Sequence, residues 1–476
     1  MRRNLLLSVC FLMASVLFAG PVTKQQAQEM AAQFLAGKSI THRAASASQM
    51  RAEVVMNAVD EAGQPYLYAV QPDNQRGFVI VSGDDRFRDF LGYSESGTFD
   101  NANMPDNMRA WLQGYVDEMK HLKAIGYQPS ASAAHRTSGV KKAISPLIQT
   151  HWDQGAPYND ICKNYFEYKD AVTGCVATAM AQVMYYSARK HGDNTYTTTV
   201  EIPGYTTGYN YSVPAVAVGT VINWSNMLPE YTYSYNNNTK KYDISNFTSE
   251  QGTAVAKLMQ CCGVSVHMDY ANSASGGSSA SISEVPNALI TYFGYDETVR
   301  YESRGMYTLA TWTELIYDEL AAARPVLYGG QSSGGGHAFV VDGYDGDELF
   351  HVNWGWGGSQ DNFFALSVMN PGDNSGIGAS TSNDGYSFGQ EAVIGIQIGS
   401  GQTYSEPKKM TFKELSISGN VIHTKVRNYN NETLTFNYGF GYIDEFGNVE
   451  QFGVHTYQFG YMYGNDDFYT TISGTA

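Results

Sequence analysis

The order of helical and alternating segments between residues 143 and 400 constrains the fold of this chain most strongly. Apolar residues recur at helical spacing over residues 175–190, 249–262 and 282–293. From residue 325 to residue 398 the pattern changes to short alternating strands with glycine-rich turns. Because the helices come first and the strands follow, we expect a segregated α+β domain.

A smaller unit precedes this domain. Residues 20–142 contain helical patterns at 22–36 and 105–125, with short alternating strands between them, which predicts a compact α+β unit. Its end, residues 128–142, is rich in Ser and Ala and finishes at Lys141-Lys142, which is typical of an exposed linker that proteases cut. The predicted strands cover residues 54–59, 66–70, 78–82 and 91–94.

A third unit follows the central domain. Residues 401–476 alternate like strands, at 411–417, 421–426 and 434–443, which predicts a small β-sandwich-like module. The sequence stops without an evident finish, as a fragment of a longer protein would.

The N-terminus has the pattern of a secretory signal peptide over residues 1–19. Arg2 and Arg3 precede an apolar run at residues 5–18, and Ala19-Gly20 offers small residues for cleavage. The run is short for a membrane anchor, and no other apolar stretch approaches the roughly 20 residues that span a bilayer. We therefore expect a secreted protein without a membrane span.

Acidic residues dominate the chain after the linker. The formal net charge is −16, and residues 143–476 hold 33 Asp and Glu against 15 Lys and Arg. Such a surface repels phosphate groups, which argues against nucleic acid or anionic membranes as partners.

Four cysteines remain once Cys10 leaves with the signal peptide. A secreted protein with a disulfide framework usually has more, spaced to bridge distant segments. A bridge between the neighbours Cys261 and Cys262 would be strained, so we expect both to be small buried residues at a helix end. Cys175 differs from these because of the residues around it.

Cys175 begins a helix immediately after the turn residue Gly174. A thiol in the first helical turn lies at the positive end of the helix dipole, which favours the nucleophilic thiolate. Acyl transfer also needs a donor for the developing oxyanion. The backbone N–H of Cys175 and the side chain of Gln154, in an irregular segment upstream, are candidates. A lone cysteine at a helix start is more often structural, so the prediction depends on its context.

That context is a pair of alternating segments around Asp345-Gly346, a strong signal for a hairpin turn. If the hairpin is centred there, the numbers of facing residues sum to about 690, which places His337 opposite Asn353. An imidazole facing an amide supplies a general base and the group that orients it. Trp354 would cover this contact, and the glycines before His337, including Gly336, would let a substrate backbone approach.

Other chemistries find no support in the sequence. His351 is interpreted as structural, and no His, Cys and Asp set has the spacing of a zinc site. The sequence has neither a glycine-rich phosphate loop nor a serine nucleophile elbow. The residues therefore predict a Cys/His enzyme that requires no metal and no cofactor.

These motifs resemble those of the streptopain family of papain-fold cysteine peptidases. The resemblance covers about residues 20–400, and residues 22–125 look like the family's inhibitory propeptide. The matching stretches of the central domain are residues 151–154, 157–159, 173–179, 264–270, 336–340 and 351–358.

The resemblance implies a zymogen in parts: an inhibitory propeptide at residues 20–142, a papain-like catalytic domain at 143–400 and a β-rich module of unknown role at 401–476. It implies endopeptidase activity on proteins or peptides, with the propeptide as an intramolecular inhibitor. The implied catalytic residues are Cys175 as nucleophile, His337 as base, Gln154 as oxyanion-hole donor, and Asn353 and Trp354 as supports of His337.

The resemblance also carries an expectation about substrates. The family prefers an apolar side chain two residues before the scissile bond. The cleft is expected to be bordered by Gly336 and by the Ser/Gly-rich loop at residues 273–281, where Ser278 would contact the substrate.

Two other functions are compatible with parts of the pattern. A Cys/His amidase or transglutaminase would use the same pair of residues, and an Asp at position 353 would have favoured it. A non-catalytic adhesin on a protease fold would explain the appended β-rich module. The joint presence of Cys175, His337, Asn353 and Gln154 speaks against the adhesin.

Overall fold

The computed structural model describes residues 20–38, 46–56, 58–73, 77–129, 141–307, 309–333, 335–369, 389–402, 410–419, 421–428, 434–443, 449–459 and 470–475. The predicted signal peptide and most of the predicted linker lie outside the described residues. Within those ranges, no helix is both long and apolar enough to cross a bilayer.

The five helices predicted from the sequence are all present, with ends that differ by a few residues. The first begins at a capping box of Thr23 and Gln26, and the third ends at Gly192, whose φ of 88° is left-handed. A sixth helix is missing from the prediction, although Trp312, Ile316 and Leu320 recur at helical spacing. The helices are α1 (Lys24–Gly37), α2 (Asp106–Ala124), α3 (Cys175–His191), α4 (Ser249–Ser265), α5 (Val285–Phe293) and α6 (Leu309–Ala321).

The strands before residue 100 follow the predicted pattern with one shift, whereas the strands between residues 195 and 303 are missing from the prediction. The first lies at Met50–Val54 rather than at residues 54–59, because Met56 adopts a left-handed φ of 54° that ends the extended run. The strands up to residue 100 are β1 (Met50–Val54), β2 (Leu67–Pro72), β3 (Phe78–Ser82) and β4 (Phe90–Ser94). The strands between residues 190 and 250 are β5 (Thr195–Thr197), β6 (Tyr205–Thr206), β7 (Ser212–Val213), β8 (Val221–Asn223), β9 (Tyr233–Asn236) and β10 (Lys241–Ile244).

The remaining strands fall into two groups. Those up to residue 400 are β11 (Arg300–Ser303), β12 (Val326–Ser332), β13 (Gly335–Tyr344), β14 (Phe350–Asn353), β15 (Asn362–Phe364) and β16 (Glu391–Ile394). Those after it are β17 (Met410–Ser418), β18 (Val421–Asn428), β19 (Leu434–Ile443), β20 (Val449–Phe459) and β21 (Thr470–Thr475). The last five form two antiparallel sheets, β17-β18-β21 and β19-β20, which confirms the predicted strands there. Their arrangement as a sandwich stays a prediction.

One ten-stranded sheet runs through both the N-terminal unit and the central domain. Its order is β1-β2-β3-β4-β15-β14-β13-β12-β16-β11, so β4 and β15 form the seam between the two units. There Tyr93 pairs with Phe363 and Gly92 with Phe364. Beyond the seam, Lys38 at the end of α1 makes ion pairs of 2.7 Å with both Asp345 and Asp347 in the β13–β14 turn.

The central part of the sheet separates two apolar cores. Helices α1, α2 and α6 contribute to one core, and α3, α4 and α5 contribute to the other. Alternation along β12 and β13 assigns each side chain to a face: Tyr328 and Phe339 face the first core, whereas Leu327 and Ala338 face the second. Cys261 and Cys262 are free and buried in α4, as the sequence predicts.

The seam gives a first prediction. A Cβ at Gly92 would lie 2.6 Å from Cδ1 of Phe364 and 2.9 Å from the carbonyl oxygen of Phe363. We expect Gly92→Ala to destabilise the seam by about 1–3 kcal/mol, because the two strands must move apart. Scanning calorimetry of the full chain should show a lower unfolding temperature.

The control is Gly114→Ala in α2, where the nearest atom to a new Cβ is 3.9 Å away. It should leave stability unchanged or raise it by about 0.5–1 kcal/mol, since glycine weakens a helix interior. An unchanged unfolding temperature for Gly92→Ala would contradict the role given to the seam.

Candidate active site

The thiol of Cys175 stands at the first residue of α3. Gly174 makes the preceding turn with φ of +86°, and a Cβ there would lie 2.6 Å from Sδ of Met268, so the position requires glycine. The backbone N–H of Ala338 in β13 donates to Sγ of Cys175 at 3.4 Å. Burial raises the pKa of Cys175 in spite of this hydrogen bond. The thiol is therefore neutral in this state, and the expected thiolate is not favoured here.

A cleft of about 730 Å³ opens beside the thiol. Five of the seven residues predicted for the site line it: Gln154, Cys175, Ser278, Gly336 and His337. The carbonyl oxygen of Gln154 accepts a hydrogen bond from the N–H of Thr173 at 3.1 Å, which fixes its segment next to the start of α3. Asn353 and Trp354 are not among the lining residues.

The imidazole of His337 is half-buried at the start of β13. Burial lowers the pKa of His337, and the carboxylate of Asp106 in α2 opposes this shift. The ring also borders a second, small cavity that it shares with Trp111 of α2. The imidazole and the thiol are thus both in their neutral forms in the closed state. Residues of α2 line the same cavities as the imidazole.

The register of the β13–β14 hairpin corrects the sequence prediction. Asn353 pairs with Val340, not with His337, which lies three residues earlier in β13. The prediction assumed a two-residue turn, but the N–H of Asp345 bonds the carbonyl oxygen of Leu349, and a bulge between Val341 and Gly343 shifts the register again. Sequence alone could not locate the bulge.

The side chain of Asn353 is fully engaged away from His337. Its Oδ1 accepts from Nε2 of Gln182 and from the N–H of Gly355, both at 3.0 Å. Its Nδ2 donates to the carbonyl oxygen of Thr150 at 2.8 Å. Asn353 therefore ties α3 to β14, and its action on His337 stays a prediction.

The sequence predicts that Trp354 covers the contact of His337, but the structure places Trp354 and Trp356 in different surroundings. Trp354 is fully buried between Phe339 and Phe364, with ring centroids 4.9 and 5.1 Å away, and it does not line the cleft. Trp356 does line the cleft. The sequence analysis missed Trp356, although its place in the Trp-Gly-Trp motif signals a second aromatic ring close by.

Ser278, which was predicted to contact the substrate, and His351, which was interpreted as structural, both have side chains engaged in other contacts. The hydroxyl of Ser278 donates to the carbonyl oxygen of Val172 at 2.7 Å and accepts from the N–H of Ala271 at 2.9 Å, so it braces the 273–281 loop. His351 lies outside the cleft, where its Nδ1 is 2.6 Å from Oδ1 of the buried Asp342. Its structural interpretation agrees with this buried pair.

Asn107 of α2 is the residue that connects the N-terminal unit to the site. It is 1% exposed, and its Nδ2 donates to the carbonyl oxygens of Ala338 and Trp354 at 2.8 and 2.9 Å. Its Oδ1 accepts from Nε1 of Trp356 at 3.1 Å. Sequence reasoning missed Asn107, whose signal is a polar residue on the same helical face as Trp111. Asp106 and Asn107 both line the cleft, so α2 closes it.

A thiol at a helix N-terminus, an imidazole on the adjacent sheet and an N-terminal helix across their cleft define a cysteine endopeptidase in its precursor form. Comparison with known proteins agrees with this class. The model of the Peptidase C10 family matches residues 152–364, and that of the Spi protease inhibitor matches residues 19–119. The chain belongs to the Peptidase C10 family.

Individual relatives support the same assignment. Streptopain of Streptococcus pyogenes serotype M1 is 36% identical over 342 residues, which cover 70% of this chain and 80% of streptopain. The thiol protease/hemagglutinin PrtT of Porphyromonas gingivalis is 34% identical over 408 residues, or 83% of this chain, but this chain spans only 44% of its length. The structure of a Prevotella intermedia prointerpain A fragment superimposes with a TM-score of 0.54 at 28% identity, covering 72% of this chain and 96% of that fragment.

The hydrogen bonds of Asn107 give a second prediction. Asn107→Ala removes partners from two buried carbonyls and one indole N–H, which should weaken the closed state by roughly 2–4 kcal/mol. Asn107→Asp should also fail to hold it, because a carboxylate would face two carbonyl oxygens. Both variants should shorten the lag before activity appears once the linker is cut. Asn103→Ala, an exposed change nearby, should keep the original lag; equal lags in all four proteins would disprove the role of Asn107.

The buried Glu118 of α2 gives a third prediction. Burial raises its pKa to about 7, although Ser367 and the N–H of Val368 donate hydrogen bonds to it at 2.6 and 3.0 Å. In a released pro-segment it would titrate near its ordinary 4.5, so the closed state binds more protons between these values. Closure is therefore strongest at acid pH and weakens as the pH rises to about 7.

Gel filtration of a Cys175→Ala chain cut in the linker would measure this dependence. The fraction of N-terminal unit that stays bound should fall between pH 5 and pH 7.5, and Glu118→Gln should flatten the curve. Glu61→Gln, a change at an exposed glutamate, should leave the curve as it is. A steep curve that persists in Glu118→Gln would assign the pH dependence to another group.

Proposed function

We propose that the chain is a secreted zymogen whose Cys175–His337 dyad hydrolyses peptide bonds in proteins. The observation that carries the proposal is the position of α2: its Asn107 donates to the carbonyl oxygen of Ala338, the residue that follows His337 and whose N–H donates to Sγ of Cys175. An inhibitor domain that covers a thiol and an imidazole has a purpose only if the pair is reactive when uncovered. Membership of the Peptidase C10 family favours this function over an amidase, a transglutaminase or an adhesin.

Activation begins with loss of the N-terminal unit. Cleavage between about residues 137 and 145 leaves residues 20–142 held only by non-covalent contacts, and their departure hydrates the cleft. The burial that raises the pKa of Cys175 is then reduced, and the N-terminus of α3 favours the thiolate. His337 takes the thiol proton, and the pair becomes thiolate and imidazolium.

Catalysis then follows in two steps. The sulfur of Cys175 attacks the peptide carbonyl carbon, and the negative oxygen is stabilised by the N–H of Cys175 and the side chain of Gln154. His337 gives its proton to the leaving amine, which breaks the C–N bond and leaves a thioester. His337 next takes a proton from water, whose oxygen attacks the thioester; the C–S bond breaks, the acid product leaves, and the pair of thiolate and imidazolium is restored.

Asn353 and Trp354 are proposed to support His337 in the open state. Asn353 fixes the end of β14 against α3, and Trp354 packs on Phe339, which lies two residues from His337 in β13. Both side chains thereby set the backbone that carries the imidazole. Their substitution should change the pH profile of turnover more than substrate binding.

The substrate is proposed to bind in an extended form along the cleft. Gly336 and the 273–281 loop border it, and an apolar side chain two residues before the scissile bond is preferred. Ser278 contributes through its backbone, since its hydroxyl is already hydrogen-bonded to Val172 and Ala271. Residues 1–19 act as the signal for secretion, and residues 401–476 form an appended module.

The fourth prediction tests the dyad and the zymogen together. A chain lacking residues 1–19 should shorten by about the pro-segment in dithiothreitol at neutral pH and then digest casein, while Cys175→Ala stays inert. Gel electrophoresis over time follows both events. If both proteins are processed alike but only the first digests casein, another protease performs maturation. If neither digests casein after the linker is cut, the peptidase proposal fails.

A further inference from the structure

Three residues on neighbouring strands lead from the nucleophile to a carboxylate. The N–H of Ala338 donates to Sγ of Cys175, Ala338 pairs with Gly329 in β12, and Gly329 pairs with Glu391 in β16. Neighbouring strands lie about 4.8 Å apart, so the Cα of Glu391 is roughly 10 Å from that of Ala338. Both Ala338 and Glu391 line the cleft.

The side chain of Glu391 lies on the face of the sheet that forms the cleft. A Cβ built on Gly329 would be 3.5 Å from Cγ of Glu391 and 2.2 Å from Cδ1 of Ile282, which also lines the cleft. The missing side chain at Gly329 thus makes room for Ile282. We call the part of the cleft that is lined by Ile282, Ala338 and Glu391 the recess; Ile282 and Ala338 are its apolar residues, and Glu391 carries its carboxylate.

The charge of this recess is not balanced by the protein. The residues that line the cleft include no lysine or arginine, and the carboxylates are Asp106, Asp153 and Glu391. Asp106 belongs to α2 and leaves with the N-terminal unit. Within the described part of the chain, Glu391 has one side-chain hydrogen bond, from the neutral hydroxyl of Tyr301 at 2.7 Å. Burial raises the pKa of Glu391, so its anionic form lacks solvation that a cation could replace.

The length of a substrate side chain determines whether it can reach the Glu391 carboxylate from the backbone of the bound peptide. In an extended peptide, the Cα two residues before the scissile bond lies about 5 Å from the attacked carbonyl carbon. From there a lysine or arginine side chain is long enough to cross the apolar part of the recess and reach a carboxylate. Such side chains bury an aliphatic stem while the charged end finds a polar partner.

We propose that Glu391 selects substrates with lysine or arginine two residues before the scissile bond, with the stem on Ile282 and Ala338 and the cation on the Glu391 carboxylate. This inference rests on the proposed function and modifies its apolar preference at this position: the aliphatic stem contacts the apolar surface, and a basic end is favoured over a neutral end on a stem of similar length. In the closed state α2 covers the same cleft, so the recess becomes available only on activation.

The test compares pairs of fluorogenic peptides that differ in one charge. One pair has lysine or norleucine two residues before the cleaved bond, and a second has arginine or citrulline there. The enzyme is the chain lacking residues 1–19, activated by cutting the linker. The kcat/KM of each charged peptide is divided by the kcat/KM of its uncharged partner. Matched pairs with the charge one or three residues before the bond locate the subsite.

We expect the charged-to-neutral ratio to exceed one and to fall about tenfold in Glu391→Gln, as for loss of a charge-assisted hydrogen bond. Glu284→Gln, an exposed change near Ile282, serves as the control for net charge and should keep the ratio. Glu391→Lys should reverse the charge preference, so that a peptide with glutamate at this position is cleaved faster than one with glutamine.

The outcomes separate the two proposals. If norleucine and citrulline peptides are cleaved but the ratio is near one and insensitive to Glu391→Gln, the peptidase stands and the specificity inference fails. If the charge effect appears only one or three residues before the bond, the assignment of the recess is wrong. If no peptide is cleaved by any variant, the proposed function itself fails.

Discussion

The pairing of β4 with β15 is the contact on which the rest of the structure depends. It continues the sheet of the N-terminal unit into that of the catalytic domain, and so fixes where α2 lies relative to β12 and β13. Strand pairing is directional and specific in register, which apolar packing alone is not. Because the sheet fixes the position of α2, the side-chain Nδ2 of Asn107 lies 2.8 Å from the carbonyl oxygen of Ala338 and donates a hydrogen bond to it.

In the proposed function, desolvation of the dyad contributes to latency. The closed state buries the thiol of Cys175 and the imidazole of His337, and burial shifts both pKa values toward the neutral forms. The same helix N-terminus that favours a thiolate in water therefore carries a thiol here. In the proposed activation, departure of the N-terminal unit would both open the cleft to substrate and hydrate the thiol and the imidazole.

The interior of the interface is polar at selected points. Asn107 and Glu118 lie on α2 and direct their hydrogen bonds to backbone groups and to Ser367 of the catalytic domain. Buried polar groups of this kind are costly unless every partner is in place. They therefore favour one docked geometry over the many that an apolar helix face would accept.

The sequence by itself determined five of the six described α-helices and the strand-rich second half, and it predicted Cys175 and His337 as nucleophile and base, because these depend on local periodicity and on residue type. Only the tertiary structure decided the rest. A bulge in the hairpin places Asn353 away from His337, and Trp356 rather than Trp354 lines the cleft. Asn107 of α2 accepts a hydrogen bond from Trp356. The positions of Trp356 and Asn107 depend on contacts between segments that are distant in sequence. Long-range register and packing leave no periodic signal in the chain, so a single sequence cannot show them.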